Sequence, residues 1–143
     1  MNDNRVFQAL DQLALSLVAI TARAIAEHAD GLDMTLVQWR VLVILGQRRE
    51  APRVGDVAAD IGSSLPSTSR LLRHLERRGL VSTARDERDR RATLVSLTSE
   101  GAATRRRIIQ ARQRHIASAL NSGSAMPSEL VPGLQHIVQA LAS

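Results

Sequence analysis

Apolar residues recur every three or four positions near both ends of the chain, which is the spacing of one face of a helix. The pattern predicts a first helix over residues 6–28, ended by Gly31, and a last helix over residues 130–142. The apolar face of the first helix consists of Phe7, Leu10, Leu13, Leu17, Ile20 and Ala24, and that of the last consists of Leu130, Leu134, Ile137, Val138 and Leu141. A domain of this size can hardly cover both faces, so we expect a second protein chain to do so.

A second helix is predicted from the segment MTLVQWRVLVILGQ, residues 34–47. Either Asp33 or Thr35 can serve as its N-cap, and it should end near Gly46. The segment is apolar on nearly all sides, and a helix of that kind normally lies in the middle of a helical domain. A polar connection, RREAPR, follows it.

The next two predicted helices form a helix-turn-helix. The first covers residues 54–61, where apolar residues fit the helical template, and Gly62 ends it. Ser64 is the predicted N-cap of the second helix, and Pro66 lies in its first turn, where a missing N–H does least harm. This helix should run to about residue 78, with Gly79 just beyond its end. Two helices joined by a tight turn that contains glycine are typical of a DNA-binding unit.

A β-hairpin is predicted after the helix-turn-helix. The segments LVSTAR and ATLVSLT are rich in β-branched residues, and seven consecutive charged residues, 85–91, separate them. Thr98 then caps a predicted helix that runs to about residue 120, with Gly101 in its first turn. The hairpin therefore follows the helix-turn-helix directly, in the position of a wing.

The second helix of the helix-turn-helix has an apolar side and a basic side on a helical wheel. Its apolar side, made by Thr68, Leu71, Leu72 and Leu75, must face the domain. The opposite side consists of Pro66, Arg70, Arg73 and Arg77, with Ser67, Ser69 and His74 at its flanks. The basic side would therefore enter a major groove. The alternative is a solvated surface whose arginines serve solubility or pair with Glu76.

The predicted hairpin tip mixes both signs of charge. It carries Arg88, Arg90 and Arg91 beside three carboxylates, those of Asp86, Glu87 and Asp89. If the hairpin lies beside the recognition helix, its arginines can reach a neighbouring minor groove, where the negative potential of narrow A·T-rich DNA is strong. We expect the acids to order the tip, with Asp89 holding the guanidinium of Arg91 in a bidentate pair.

Composition narrows the class of partner. The chain has 143 residues, 19 arginines without a single lysine, 14 acidic residues and a net charge of +5, which favours an anionic partner. The lack of lysine can equally record the base composition of the source genome. There is no cysteine, and Phe7 and Trp39 are the only aromatic residues, too few for a single-strand stacking platform, so duplex DNA is the better candidate. Without a signal peptide or an uninterrupted apolar run of membrane-spanning length, we expect a cytoplasmic protein with no membrane contact.

Three segments resemble the MarR family of bacterial winged helix-turn-helix regulators. They are MTLVQWRVL in the second helix, STSRLLRHLERRGLV in the recognition helix, and RDERDRRATLVSLTSEG in the wing. The resemblance covers essentially the whole chain. It implies a mainly α fold with a small β-hairpin wing, in one domain over residues 1–143. Residues 33–100 would form the DNA-binding lobe, and residues 1–30 and 102–143 the dimerisation helices.

The resemblance also implies which residues contact DNA. The family's contacts carry over onto Ser67, Ser69, Arg70, Arg73 and the wing residue Arg90, with Asp89 and Arg91 as a supporting pair. The wheel and the charge pattern add Ser64, Pro66, Arg77 and Arg88, and Arg88 competes with Arg90 for the minor groove. Many members of the family lose DNA affinity when a small aromatic or phenolic ligand binds. Candidate residues for such a pocket are Arg23, His28, Trp39, Arg40 and His115, although Trp39 suits the core equally well.

Enzymatic and metal functions find no support in the residue pattern. No His, Cys or carboxylate grouping has catalytic spacing, and the four histidines lack paired ligand spacing, so neither a metal nor a cofactor is expected. We predict a homodimeric, sequence-specific repressor of a pseudo-palindromic operator in double-stranded DNA, with release by a small molecule as a further expectation. The alternative is a winged-helix module that binds a protein, or that binds DNA architecturally without reading its sequence.

Overall fold

The computed structural model describes residues 2–28, 33–121 and 128–141. Within these ranges the chain forms six helices and one two-stranded sheet. Their bounds are α1 Asn2–His28, α2 Leu36–Gln47, α3 Val54–Ile61, α4 Leu65–Arg77, β1 Val81–Arg85, β2 Thr93–Leu97, α5 Ser99–Asn121 and α6 Leu130–Leu141. The fold class is therefore the predicted one, mainly α with a β-hairpin wing. Helix α1 begins earlier than its apolar pattern suggested, and Gly31, its predicted end, lies outside the described residues.

Helix α2 forms the centre of the core, as its uniformly apolar sequence predicted. Its side chains at Trp39, Val41, Leu42 and Leu45 are buried. Thr35 is the N-cap: its hydroxyl accepts a hydrogen bond from the backbone N–H of Gln38, whose own side chain accepts from the Thr35 N–H. This reciprocal capping box decides the start of the helix in favour of Thr35 over Asp33.

Helices α3 and α4 form the helix-turn-helix. Gly62 ends α3 with a left-handed φ of 66°, a conformation that glycine adopts without steric cost. Ser64 caps α4 by accepting a hydrogen bond from the backbone N–H of Ser67. The apolar side of α4 is anchored by buried Thr68, Leu72 and Leu75, so its outward side is set by packing.

The wing contains more pairing than the sequence predicted. Strands β1 and β2 are antiparallel, with Val81 opposite Leu97 and Arg85 opposite Thr93. The preceding connection, read as a polar loop, also joins this sheet: the Val95 N–H donates to the carbonyl of buried Pro52 at 2.9 Å, and Arg53 forms an antiparallel bridge with Leu94. The wing is thereby tied to the chain just before α3.

Helix α5 links the wing to α1. Thr98 caps it by accepting from the Gly101 N–H and donating to the carbonyl of Gly79. Gly101 is buried so closely against the chain that a Cβ there would lie 1.9 Å from the carbonyl oxygen of Leu80. Further along α5, Ile108 and Ala111 belong to the same buried core as residues of α1 and α2.

The terminal helices leave most of their apolar surface in solvent. Phe7 of α1 is 65% exposed and Val138 of α6 is 66% exposed, and α6 has no buried residue. Over Asn4–His28, mean hydropathy reaches 1.5 in an 18-residue window of which 17% is buried, so by length and composition this helix could also cross a membrane.

Candidate nucleic-acid interface

Helix α4 presents its arginines to solvent. Arg70, Arg73 and Arg77 are exposed, because the buried apolar side of the helix turns them outward. Arg70 approaches the Ser67 hydroxyl and Arg73 the Ser69 carbonyl, each at 3.4 Å, contacts at the long end of hydrogen bonding. The guanidinium groups therefore remain accessible to phosphates or base edges.

Glu76 binds the wing. Its partner is Thr83, whereas the alternative of a solvated surface expected it to pair with the arginines of α4. Its Oε1 accepts from the backbone N–H of Thr83 at 3.0 Å and from the Thr83 hydroxyl at 2.8 Å. These two bonds tie α4 to the first strand of the wing. The carboxylate thus fixes the wing relative to the recognition helix.

The wing tip is ordered by its acidic side chains. Asp86 Oδ1 accepts from the Arg88 N–H at 2.9 Å, and Asp89 Oδ1 accepts from the Arg91 N–H at 3.1 Å. The side chains of Arg88, Arg90 and Arg91 are exposed beyond this turn. The acids therefore shape the loop that carries the three arginines, as predicted.

The prediction that Asp89 forms a bidentate pair with the guanidinium of Arg91 is wrong, because the side chain of Asp89 pairs with a different arginine. Asp89 binds the backbone of Arg91, and its Oδ2 pairs with Nη1 of Arg53 at 3.4 Å. Nη2 of the same guanidinium pairs with Asp86 Oδ2 at 3.0 Å. The backbone N–H of Arg88 and then the Arg53 guanidinium hold the pKa of Asp86 below its usual range.

Sequence reasoning missed Arg53 altogether. It lies in a segment read as a connection, 36 residues before Asp89. No local periodicity or cap signal joins two residues so far apart. The available hint was the presence of three acidic residues at a hairpin tip expected to meet DNA.

The recognition helix and the wing border one shared surface. A depression of about 370 Å³ is lined by Leu65 and Ser69 of α4, by Arg91 and Thr93 of the wing, and by the start of α3. Ser64 and Pro66 are exposed at the same end of α4. Most of the predicted DNA-contacting residues therefore lie on or beside two adjoining elements, although DNA contact by any one of them stays a prediction.

The predicted effector residues separate into two places. Arg23, His28 and His115 meet around Glu27: its carboxylate lies 3.0 Å from Arg23 Nε, 3.8 Å from His28 Nε2 and 2.8 Å from His115 Nε2. Hydrogen bonds from His115 first and Arg23 second lower the pKa of Glu27.

The other two predicted effector residues lie elsewhere. Trp39 is 4% exposed and belongs to the core, which was the alternative interpretation of this residue. Arg40 donates a hydrogen bond to the carbonyl of Asp60 at 2.8 Å. A depression of about 330 Å³ adjoins the first group, beside Arg23 and His115. Among the described residues, no group of three His, Cys, Asp or Glu side chains could hold a metal ion.

These features define a winged helix-turn-helix protein with a basic recognition helix. The sequence model of the MarR family matches residues 32–92, from the start of α2 to the end of the wing tip. Across residues 2–28, 33–121 and 128–141, the described structure resembles RV1404 of Mycobacterium tuberculosis, at a TM-score of 0.86, 26% identity, and coverage of 100% of this chain and 96% of that one. Residues 32–92 are thus similar to the MarR family of winged-helix transcriptional regulators, and the described structure has the same fold as RV1404.

Two further relatives differ in how they act on transcription. The transcriptional activatory protein BadR of Rhodopseudomonas palustris is 39% identical over 100 residues, which are 68% of this chain and 55% of BadR. CouR of Rhodococcus jostii, a transcriptional repressor, has the same fold in its complex with a 23-mer DNA duplex, at a TM-score of 0.72, 24% identity, and coverage of 94% of this chain and 90% of CouR. The chain spans about half the length of the curated relatives it matches. The matching family and these relatives are transcriptional regulators rather than enzymes, as predicted.

Proposed function

We propose that this protein is a sequence-specific regulator of transcription that binds double-stranded DNA through α4 and the wing. The observation that carries the proposal is the surface shared by α4 and the wing, where Leu65 and Ser69 adjoin Arg91, with the α4 arginines turned outward by buried Leu72 and Leu75. In this arrangement α4 enters a major groove and the wing reaches the next minor groove. The solved structure of CouR, which shares the fold, is bound to a 23-mer DNA duplex, and this supports duplex DNA as the partner.

We propose that the protein acts as a homodimer formed by α1 and α6 together with the later part of α5. Exposed apolar surface on both terminal helices supports this assembly, because a second copy would cover it with its own equivalent surface. Burial against a second copy also accounts for the high hydropathy of α1 without a membrane. A two-fold axis would place two recognition helices on the halves of a pseudo-palindromic operator.

We further propose repression as the mode of action and the cytoplasm as the location, since a regulator of this kind acts where the chromosome is.

The small-molecule effector would be aromatic or phenolic. CouR has been crystallised with p-coumaroyl-CoA, which is a phenolic thioester, and this supports the class of ligand. Arg23, His28 and His115 would form its polar contacts beside Glu27, since their N–H groups can donate hydrogen bonds to oxygen atoms of the ligand.

Fluorescence anisotropy tests the DNA-binding proposal. The full-length protein is titrated onto the DNA upstream of its own gene and onto scrambled DNA of equal length, at several salt concentrations. We expect a preference of at least about 10³ for one palindromic segment. Affinity should also fall steeply with salt, because bound arginines release counterions from the phosphates.

Equal affinity for both DNAs would contradict base reading and favour the architectural alternative. Absence of binding to either DNA, and to duplexes selected from a random library, would favour a protein-interaction module. Mass measurement of the complex tests the homodimer separately, with two chains expected on each duplex. Addition of phenolic acids and their CoA thioesters to the preformed complex tests for release.

A further inference from the structure

Arg53 occupies a junction between three parts of the DNA-binding lobe. Arg53 is the N-cap of α3: its carbonyl accepts from the Val57 N–H at 3.1 Å, and its own N–H donates to Asp56 Oδ2 at 2.9 Å. Its backbone also bridges Leu94 of β2. Its side chain spans Asp86 and Asp89 of the wing tip. A residue whose main chain is fixed from two sides can hold a loop at a defined position.

The two carboxylates that Arg53 binds are also the ones that shape the tip. Each uses one oxygen for a backbone N–H of an arginine in the tip, Arg88 or Arg91, and the other oxygen for Arg53. The Asp86 side chain is 13% exposed, so this end of the bridge is largely shielded from water. The contacts form a continuous path from the start of α3 to the backbone of the DNA-facing arginines.

We propose that Arg53 is a positioning residue for DNA recognition, which sets the wing arginines relative to the recognition helix by bridging Asp86 and Asp89. The inference rests on the proposed function. A planar guanidinium can engage two carboxylates at once with a fixed separation, and an ammonium group cannot reproduce that geometry. Arg53 thus acts through Arg88, Arg90 and Arg91 without needing to touch DNA.

The test compares Arg53→Lys and Arg53→Met with wild-type protein on the duplex that wild-type protein prefers. We expect Arg53→Met to weaken binding about tenfold and Arg53→Lys about threefold, within the usual range of coupling between residues in one ion-pair network. Arg107→Lys and Arg107→Met are the matched controls, since Arg107 pairs with Glu100 at 3.0 Å on α5 rather than with the wing. The two control variants should bind like the wild-type protein.

A double-mutant cycle separates positioning from charge. In a variant with Arg88, Arg90 and Arg91 all changed to Ala, the additional change Arg53→Lys should weaken binding by less than about twofold, because nothing remains for it to position. The variants with and without Arg53→Lys have the same net charge, so a difference between them does not come from charge. An equal loss with and without the wing arginines would overturn the proposal, as would full wild-type affinity of Arg53→Lys.

Hydrogen exchange of the free protein provides a readout that does not depend on DNA. In Arg53→Met, the backbone amides of Arg88 and Arg91 should exchange about threefold faster or more, while the melting temperature changes little, since local opening precedes global unfolding. Unchanged exchange at both amides would overturn the role of Arg53 in ordering the tip. Failure of wild-type protein to prefer any duplex would instead refute the proposed function, and the exchange result would still stand.

Discussion

The DNA-binding lobe and the terminal helices of this protein use apolar residues in opposite ways. In the lobe, α2, α4 and the wing direct most of their large apolar side chains into one core, and Leu42, Leu75 and Val95 are fully buried. In α1 and α6, most side chains of the same types lie in water. The lobe can therefore reach its packed state within one chain, whereas the terminal helices are complete only when something covers them.

Effects on folding and effects on association should therefore separate between the two regions. Substitutions in the lobe should act on folding and DNA reading at any protein concentration. Substitutions on the exposed apolar faces should act through association, and so depend on concentration.

The largest effect is expected in the lobe, from Leu72→Ala. Leu72 is 2% exposed and anchors α4 to the core, so its truncation should lower the free energy of unfolding by about 3 kcal/mol, through lost apolar contact and a residual cavity. Urea denaturation monitored by circular dichroism measures it. Leu65→Ala on the same helix is the control. Leu65 is 54% exposed, so its truncation should lower the free energy of unfolding much less. Equal losses would contradict the burial pattern of α4.

A charge on the exposed face of α1 should disrupt association. In Leu13→Asp, two copies of the charge would enter a symmetric interface. We expect the dimer dissociation constant to rise about a hundredfold, which corresponds to about 2.8 kcal/mol of association free energy. Sedimentation velocity over a range of concentrations measures it. Gln12→Asp adds the same charge one position away at an exposed polar site and should leave association nearly unchanged. If Leu13→Asp remains dimeric at the dilution where wild-type protein does, the interface lies elsewhere.

Removal of an outward arginine from α4 should reduce base discrimination while the fold stays intact. Arg73→Ala is expected to cost about 2 kcal/mol at one base position if the side chain contacts guanine. Competition binding with single-base variants of the preferred duplex measures the loss of discrimination. Arg107→Ala, on α5, should change neither affinity nor discrimination. A comparable loss in that control would mean that the basic charge of the lobe acts without regard to position.

The smallest effect concerns acid pH at the contact of α1 with α5. Glu27 has a lowered pKa in the folded protein, so its contribution to stability is complete at neutral pH and is lost as pH falls through that folded-state pKa. Thermal unfolding from about pH 7 to about pH 3 should therefore show Glu27→Gln less stable at neutral pH, with the difference vanishing in acid. Asp11→Asn, elsewhere on α1, is the control. A difference that persists unchanged at the lowest pH would contradict the role assigned to this carboxylate.

Local signals made most of the lobe predictable from sequence. Thr35, Ser64 and Thr98 act as caps, and Gly62 and Gly79 have positive φ, because these features depend only on residues a few positions away. The same is true of the orientation of α4, which follows from helical periodicity. The candidate DNA surface was predictable to the extent that it consists of one helix face and one hairpin tip.

Contacts between distant segments were not predictable in this way. Pro52 and Arg53 pair with β2 some forty residues later, and nothing in their immediate neighbourhood requires it. Asp89 was assigned to Arg91 because the two are close in sequence, yet a guanidinium from the start of α3 can approach from outside the hairpin and engage two acids. Trp39 and His115 were grouped by residue type alone, and the fold places them in different surroundings.

The continuity of α5 has a mechanical consequence. Its first turn is locked to the wing through Thr98 and Gly101, and its later turns pack on α1, so the helix of 23 residues works as a single lever about 34 Å long. A tilt of about 10° at the α1 end would carry the wing end through about 6 Å, several times the tolerance of a hydrogen bond to a base edge. If α4 and the wing bind DNA as proposed, a modest change of angle where α5 meets α1 is enough to take them out of register with the DNA grooves.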